Sequence, residues 1–314
     1  MFPQQDVEAV RRFNRTVTRR VGALDESFMG RGRPLGEARL LYEIGPLGAD
    51  VRDLRARLSL DSGYLSRTLR SLERQGLVAS RRADHDARVT TAALTPTGVE
   101  EVAELDKCSD AFAAGLLARL GEEQRTRLVT AMREVERLMQ AAAIEIALAP
   151  ARGEAARWCI AQYFAEIDER FPGGYDPAKS RPLGFEAMTP PAGYFYLATL
   201  DGRPVGCGVL NVIDAQTGYV KRVWVARETR GMGLGRRLMA TLETQARSLG
   251  MREVRLDTHE VLTEAQTLYR SIGYREVPPF NDEPYSQHWF VKDIAPRDDR
   301  SGEDVRHPTH PSET

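Results

Sequence analysis

Residues 228–239 read ETRGMGLGRRLM: three glycines, Gly231, Gly233 and Gly235, on alternate positions, with Arg230 ahead of them. Upstream, residues 219–225 (YVKRVWV) alternate apolar and basic side chains and are rich in β-branched and aromatic types, which predicts a strand. Downstream, Leu238, Leu242, Ala246 and Leu249 recur every three or four residues and stop at Gly250, which predicts an amphipathic helix. A strand, a glycine turn and a helix in that order make an anion site. The first amides of a helix lack intrahelical partners, the helix dipole is positive there, and residues without a Cβ let those donors approach a phosphate.

Three phosphate-loop patterns compete for the stretch, with an ordinary structural turn as the plain alternative. A P-loop needs a glycine where Arg236 stands, so it fails. A dinucleotide fingerprint begins at Gly231 and Gly233 but also meets Arg236 in its third glycine place, although Asp257, closing the strand-like residues 252–257 (REVRLD), imitates the distant ribose acid. Against it, residues 226–229 separate the strand from the loop, and no further series of βα units follows the helix. The third pattern, Arg/Gln-x-x-Gly-x-Gly/Ala, fits throughout residues 230–235. At this loop the sequence resembles the GCN5-related N-acetyltransferase (GNAT) family, in which it holds the pyrophosphate of acetyl-CoA.

Residues 263–274 (TEAQTLYRSIGY) add a second match. Ala265, Leu268, Tyr269 and Ile272 share a helical face that Gly273 ends, and the A-x-x-L-Y-x-x-x-G-Y spacing is that of the family's last helix. There the tyrosine protonates the departing CoA thiolate, so the resemblance makes Tyr269 the acid; read from periodicity alone it is a packed aromatic. Residues 193–213 read as a hairpin turned at Asp201-Gly202, and residues 288–292 (HWFVK) as a closing strand. The resemblance covers residues 153–294 and implies an α/β fold with a mixed, mostly antiparallel sheet. It assigns Val223 and Val225 to main-chain cofactor contacts, and Arg230, Gly231, Met232, Gly233, Leu234, Gly235 and Arg236 to the phosphates.

The chain departs from the family at two places. Tyr219 stands where many relatives carry a glutamate, and Leu262 where an asparagine often precedes the last helix. The base stays open among Glu186, Asp257, His259, Glu260 and a water wire. Residues 171–177 (FPGGYDP) and 278–285 (PPFNDEPY) have turn chemistry and lie where this fold shapes its acceptor cleft. If they line it, Tyr175, Asp176, Asn281 and Tyr285 favour a small polar amine.

The first half of the chain has a different texture, helical up to about residue 148 with one interruption near residues 77–94. Val51, Leu54 and Leu58 line one short helix; Leu65, Leu69 and Leu72 line a second, entered through Asp61 and Ser62 and ended at Gly76. Ser62, Tyr64, Ser66, Arg67 and Arg70 fall away from that second stripe, small at the start and basic further on, a face suited to a major groove. Residues 77–82 and 88–94 read as a hairpin carrying Arg81, Arg82 and Arg88 toward a minor groove, with Asp84 and Asp86 placed to orient them. The plain alternative for these arginines is a solvated charged face. From this hairpin and the residues 94–98 (LTPTG) that follow, residues 5–146 resemble the MarR family of winged helix-turn-helix regulators, although this wing is slightly short. The resemblance implies a homodimer built on the long flanking helices and a double-stranded DNA operator.

The resulting expectation is two domains: a mainly α, MarR-like domain over 1–148, a linker over 149–152, a GNAT domain over 153–295 and a disordered tail over 296–314. The tail has Val305 as its one large aliphatic residue. A net charge of −1 and a pI near 6.6 leave nucleic-acid attraction to local patches. Cys108, Cys159 and Cys207 are far apart in sequence, which suits a reducing compartment and gives no metal site. No signal-like N-terminus or membrane-length apolar run is present, so a cytoplasmic protein is expected. Functionally the reading is a DNA-binding regulator that also transfers acetyl groups from acetyl-CoA to a primary amine. Two alternatives remain: a regulator whose second domain senses acyl-CoA or an amine without turnover, and an enzyme whose winged helix only dimerises or binds protein.

Overall fold

The computed structural model describes residues 2–83, 86–180 and 183–295, and for 82, 83 and 86–89 the backbone alone. The chain divides into two compact units, Met1–Glu136 and Arg137–Thr314.

The first unit opens with α1 (Gln4–Arg20) and α2 (Leu35–Ile44), followed by a two-residue strand β1 (Ala49–Asp50). Asp50 caps α3 (Val51–Arg57) by accepting from the Arg52 amide at 2.6 Å, and Asp61 caps α4 (Ser62–Arg74) through the Tyr64 amide at 3.0 Å. Such caps satisfy otherwise orphaned donors, and they fix where the two helices of the helix-turn-helix begin. Leu54, Leu65, Leu69 and Leu72 are buried with Leu40, Leu41 and Ile44 of α2, as the spacing predicted. The antiparallel pair β2 (Val78–Ala83) and β3 (Asp86–Leu94) forms the wing, with β1 on the other edge of β3. Helix α5 (Pro96–Ala118) follows, capped by Thr95, and Glu101 on it receives Arg31 at 2.6 Å and Arg33 at 3.1 Å.

Helix α6 (Glu122–Ala143) spans the division between the units. The sequence reading carried the first domain to residue 148; the structure starts the second unit at Arg137. Ile144 lies in the second unit's core, and β4 (Glu145–Leu148) is an edge strand of its sheet, with Ile146 opposite Ala198. Four residues are too few to show alternation beside a long helical pattern, which is why sequence periodicity ran past this strand. Residues 149–152 form the turn into α7 (Glu154–Arg170), with the Gly153 amide on the Pro150 carbonyl at 2.8 Å.

The remaining elements are β5 (Gly193–Leu200), β6 (Arg203–Val212), β7 (Thr217–Val225), α8 (Leu234–Ser248), β8 (Glu253–Thr258), α9 (Thr263–Ser271), β9 (Arg275–Val277) and β10 (His288–Asp293). The sheet order is β4-β5-β6-β7-β8-β10-β9, antiparallel throughout except for β7 against β8. One parallel pair in a seven-stranded sheet excludes the doubly wound architecture that the dinucleotide reading needed. Asp201 (φ 50°) and Gly202 (φ 76°) turn the β5–β6 hairpin, both left-handed as a two-residue turn of this kind requires. The expected tail, 296–314, lies outside the described residues.

Candidate functional site

The site begins where two strands part. β7 and β8 pair only at Thr217–Glu253, Gly218–Val254 and Tyr219–Arg255, so β7 from Val220 onward has no neighbour on that side. At the same level β7 bulges against β6: Cys207 faces Trp224 and Val209 faces Lys221, leaving Arg222 and Val223 opposite Gly208. A bulge adds a residue and bends its strand, which here swings β7 away from β8 and opens a wedge in the sheet.

A cleft of about 520 Å³ runs from this wedge to the glycine loop. Val223 and Val225 line it from β7, and Arg230, Gly231, Gly233, Leu234, Gly235 and Arg236 line it from the loop. Gly231 and Gly233 both sit at φ 77°, and a Cβ on Gly233 would meet nothing within 4 Å, so the space above that residue is open. Gly233 is the N-cap of α8 and no side chain caps the helix, which leaves its first amides to face a ligand. Met232, the remaining predicted loop residue, does not line the cleft; it is partly buried against the core cluster of this unit. Arg230 donates to Glu166 at 2.5 Å and to the Val225 carbonyl at 3.2 Å, so its guanidinium fastens the loop to α7 and β7. Arg236 lines the cleft with Nη2 on the Ser271 hydroxyl at 3.0 Å. Arg137 of α6 donates to the Gly231 carbonyl at 3.0 Å.

A second cavity, about 120 Å³, adjoins the first; Tyr163, Ile167, Val223, Leu262, Ala265 and Tyr269 line both. Tyr269 is buried against Tyr274 and Phe290, and its hydroxyl has no hydrogen-bond partner among the described residues. Burial, then the nearby Asp257 carboxylate, raises its pKa above that of an ordinary phenol, so it stays protonated at neutral pH. Of the four residues named on the two loops, Tyr175 and Tyr285 line the second cavity, whereas Asp176 and Asn281 do not. Asp176 receives the Ala178 amide at 3.0 Å and shapes its own turn. Asn281 donates to the Tyr219 hydroxyl and accepts from Trp289 Nε1, each at 2.8 Å, and so braces the cavity wall from behind.

Of the four candidate bases, Glu186 is exposed and ion-paired with Arg152, and Glu260 is exposed and lines neither cavity. Asp257 and His259 both line the second cavity. His259 stacks on Phe171 at 3.9 Å, and burial lowers its pKa. Its Nδ1 accepts the Val261 amide at 3.2 Å, which puts the proton of the neutral ring on Nε2 and leaves that nitrogen a donor. Asp257 receives the Tyr219 hydroxyl on Oδ1 and the Ser286 hydroxyl on Oδ2. Each oxygen keeps a further lone pair, so the carboxylate is the group able to accept a proton.

In the first unit, Ser62, Tyr64, Ser66, Arg67 and Arg70 all lie on the exposed side of α4, and Arg81 is exposed on β2. The side chains of Arg82 and Arg88 lie outside the described residues. Val7, Val10, Phe13 and Val17 form an exposed apolar stripe on α1, which buries no residue. Among the described residues no group of three or more His, Cys, Asp or Glu could hold a metal ion, and no helix is long and apolar enough to cross a membrane.

A wedge between parallel strands, a left-handed glycine loop on an uncapped helix and a tyrosine at the junction of two cavities define an acyltransferase fold. The Acetyltransferase (GNAT) family model matches residues 160–274, and the MarR family model matches residues 31–89. The chain is 35% identical to IAA acetyltransferase of Azospirillum brasilense over 129 residues, 40% of this chain and 82% of that protein. It is 32% identical to the uncharacterized HTH-type transcriptional regulator YdgJ of Bacillus subtilis over 90 residues, 29% of this chain and about half (54%) of that one. Among solved structures, an acetyltransferase of the GNAT family from Staphylococcus aureus Mu50 aligns with a TM-score of 0.42 at 18% identity, over 49% of this chain and 100% of that chain. The chain belongs to the GNAT acetyltransferase family and carries a MarR-family domain ahead of its acetyltransferase domain.

Proposed function

We propose that the chain transfers an acetyl group from acetyl-CoA to a small primary amine and also binds operator DNA as a homodimer. The observation that carries the enzymatic half is the continuity of the two cavities through Tyr269, one reaching the glycine loop and the other Asp257. The amides at the start of α8 hold the pyrophosphate, with Gly231 and Gly233 giving the approach and Arg236 adding charge. The unpaired edge of β7 at Val223 and Val225 binds the pantetheine and polarises the thioester carbonyl. The amine nitrogen attacks that carbonyl, Asp257 takes its proton directly or through a water, the C–S bond breaks, and Tyr269 donates its proton to the sulfur. The products are the acetylated amine and CoA thiol.

For the regulatory half, the exposed face of α4 supports major-groove reading by Ser62, Tyr64, Ser66, Arg67 and Arg70, with Arg81, Arg82 and Arg88 on the wing. The apolar stripe of α1 supports a dimer. The test is CoA release from acetyl-CoA with an amine panel, beside binding of selected duplexes by the same preparation. Turnover with operator binding is expected; acetyl-CoA binding without turnover on any amine would leave a sensor.

A further inference from the structure

The acceptor cavity holds a cation that the chemistry above does not use. Arg222 sits at the β7 bulge with φ 53°, a left-handed conformation rare for a side-chain-bearing residue, and lines this cavity. Its guanidinium lies over the Phe164 ring at 5.1 Å, donates to the Leu183 carbonyl at 2.9 Å and rests on the Met188 sulfur at 3.1 Å. The first is a face contact and the other two engage only part of its five-donor fork. Among the described residues no carboxylate lies within 4.0 Å of it. The two acids of the same cavity are engaged elsewhere: Glu283 with Lys221 at 3.4 Å and Ser180 at 2.9 Å, Asp257 with Tyr219 and Ser286. Burial accordingly lowers the Arg222 pKa, with no carboxylate among the groups that offset it.

A partly buried guanidinium normally recovers its desolvation cost from an anion, and its planar fork fits a carboxylate in particular. The same wall carries the rings of Tyr163, Phe164, Phe171, Tyr175 and Tyr285, interleaved with polar Ser180, Thr258 and Ser286. We infer that the acceptor is an amine that carries a carboxylate, an α-amino acid with an aromatic side chain, and that Arg222 is its carboxylate-binding group. The inference rests on the acetyltransferase reading and narrows its acceptor. The C–N bond forms as the C–S bond breaks, the amine proton goes to Asp257, and the products are an N-acetyl amino acid and CoA thiol.

The test compares amino acids with their decarboxylated amines, L-phenylalanine against phenethylamine and L-tryptophan against tryptamine, on the full chain with acetyl-CoA. The expected kcat/KM ratio favours one amino acid at least tenfold over its amine, since a site built for a polar group rejects analogues lacking it. Arg222→Gln should lower that ratio at least tenfold, chiefly through KM, and Arg222→Lys, which keeps the charge without the fork, should fall between. A wild type that uses the amines equally well, or a ratio unmoved in Arg222→Gln, overturns the inference. Retained acetyl-CoA binding shows that each variant is folded. If no amine turns over, the enzymatic reading fails, and 3-phenylpropanoate titrated calorimetrically into CoA-saturated protein still decides the carboxylate site. Binding lost in Arg222→Gln supports it, and no binding to wild type refutes it.

Discussion

Tyr219 stands opposite Arg255 in the last pair of the parallel seam between β7 and β8, and its hydroxyl donates to Asp257 two residues further along β8. The residue at which the sheet begins to open is therefore also the one that orients the carboxylate at the opening. Where many relatives carry an acid at this strand position, the chain has a phenol that reaches an acid on the neighbouring strand.

Asp257→Asn should lower kcat by about 10²–10⁴-fold, the usual range for a positioned acid or base, with acetyl-CoA affinity held within about twofold. His259→Gln should cost much less, because Nδ1 is engaged by the Val261 amide and Nε2 is a donor. Steady-state kinetics beside calorimetry checks the pair, and the reverse ranking would move the base to His259.

Tyr269→Phe should reduce kcat over the same range without weakening acetyl-CoA binding. An acid works in its protonated form, and burial raises this phenol above its ordinary value of 10.0. Any loss of rate that belongs to Tyr269 therefore falls above pH 10, and a pH–rate profile losing activity between pH 8 and 9.5 through this residue would contradict the assignment.

Arg67→Ala and Arg70→Ala should each weaken operator binding and, where a phosphate contact is lost, reduce the salt slope by about one. Binding isotherms at several salt concentrations give both quantities. Unchanged affinity and slope in both variants would take the exposed face of α4 off the DNA.

Glu101→Gln should destabilise the first unit by about 2–3 kcal/mol at pH 7, because two arginines lose their charged acceptor. Hydrogen bonding from Arg31, then the charge of Arg33, holds this carboxyl below its usual range. The stabilisation is full above the unfolded value near 4.5 and is lost as pH falls through the depressed folded value, so the variant and wild type should converge in acid. Trp158, Trp224 and Trp289 all lie in the second unit, so amide exchange of α5, not fluorescence, reads the effect.

The glycine loop, the last helix and the helix-turn-helix were legible because each is local: turn chemistry, helical spacing and caps are written within a few residues. The second cavity was not. Tyr163, Phe164 and Ile167 lie about a hundred residues before Tyr269, and only the tertiary fold brings them to it. Arg222 looked like one basic residue of an alternating strand, and only the pairing of β7 with β6 shows that it sits at a bulge. Asp176 and Asn281 had the right chemistry on the right loops, but their side chains are spent on Ala178, Tyr219 and Trp289, partners remote enough in the case of Tyr219 that no local pattern reveals them.

The most direct measurement is calorimetric titration of acetyl-CoA into the full chain, beside Gly233→Trp. The account predicts saturable one-site binding to wild type that is lost in the variant, whose indole would fill the open space above Gly233. Folded wild type that takes up no acetyl-CoA, or a variant that binds it as well as wild type, would contradict the account.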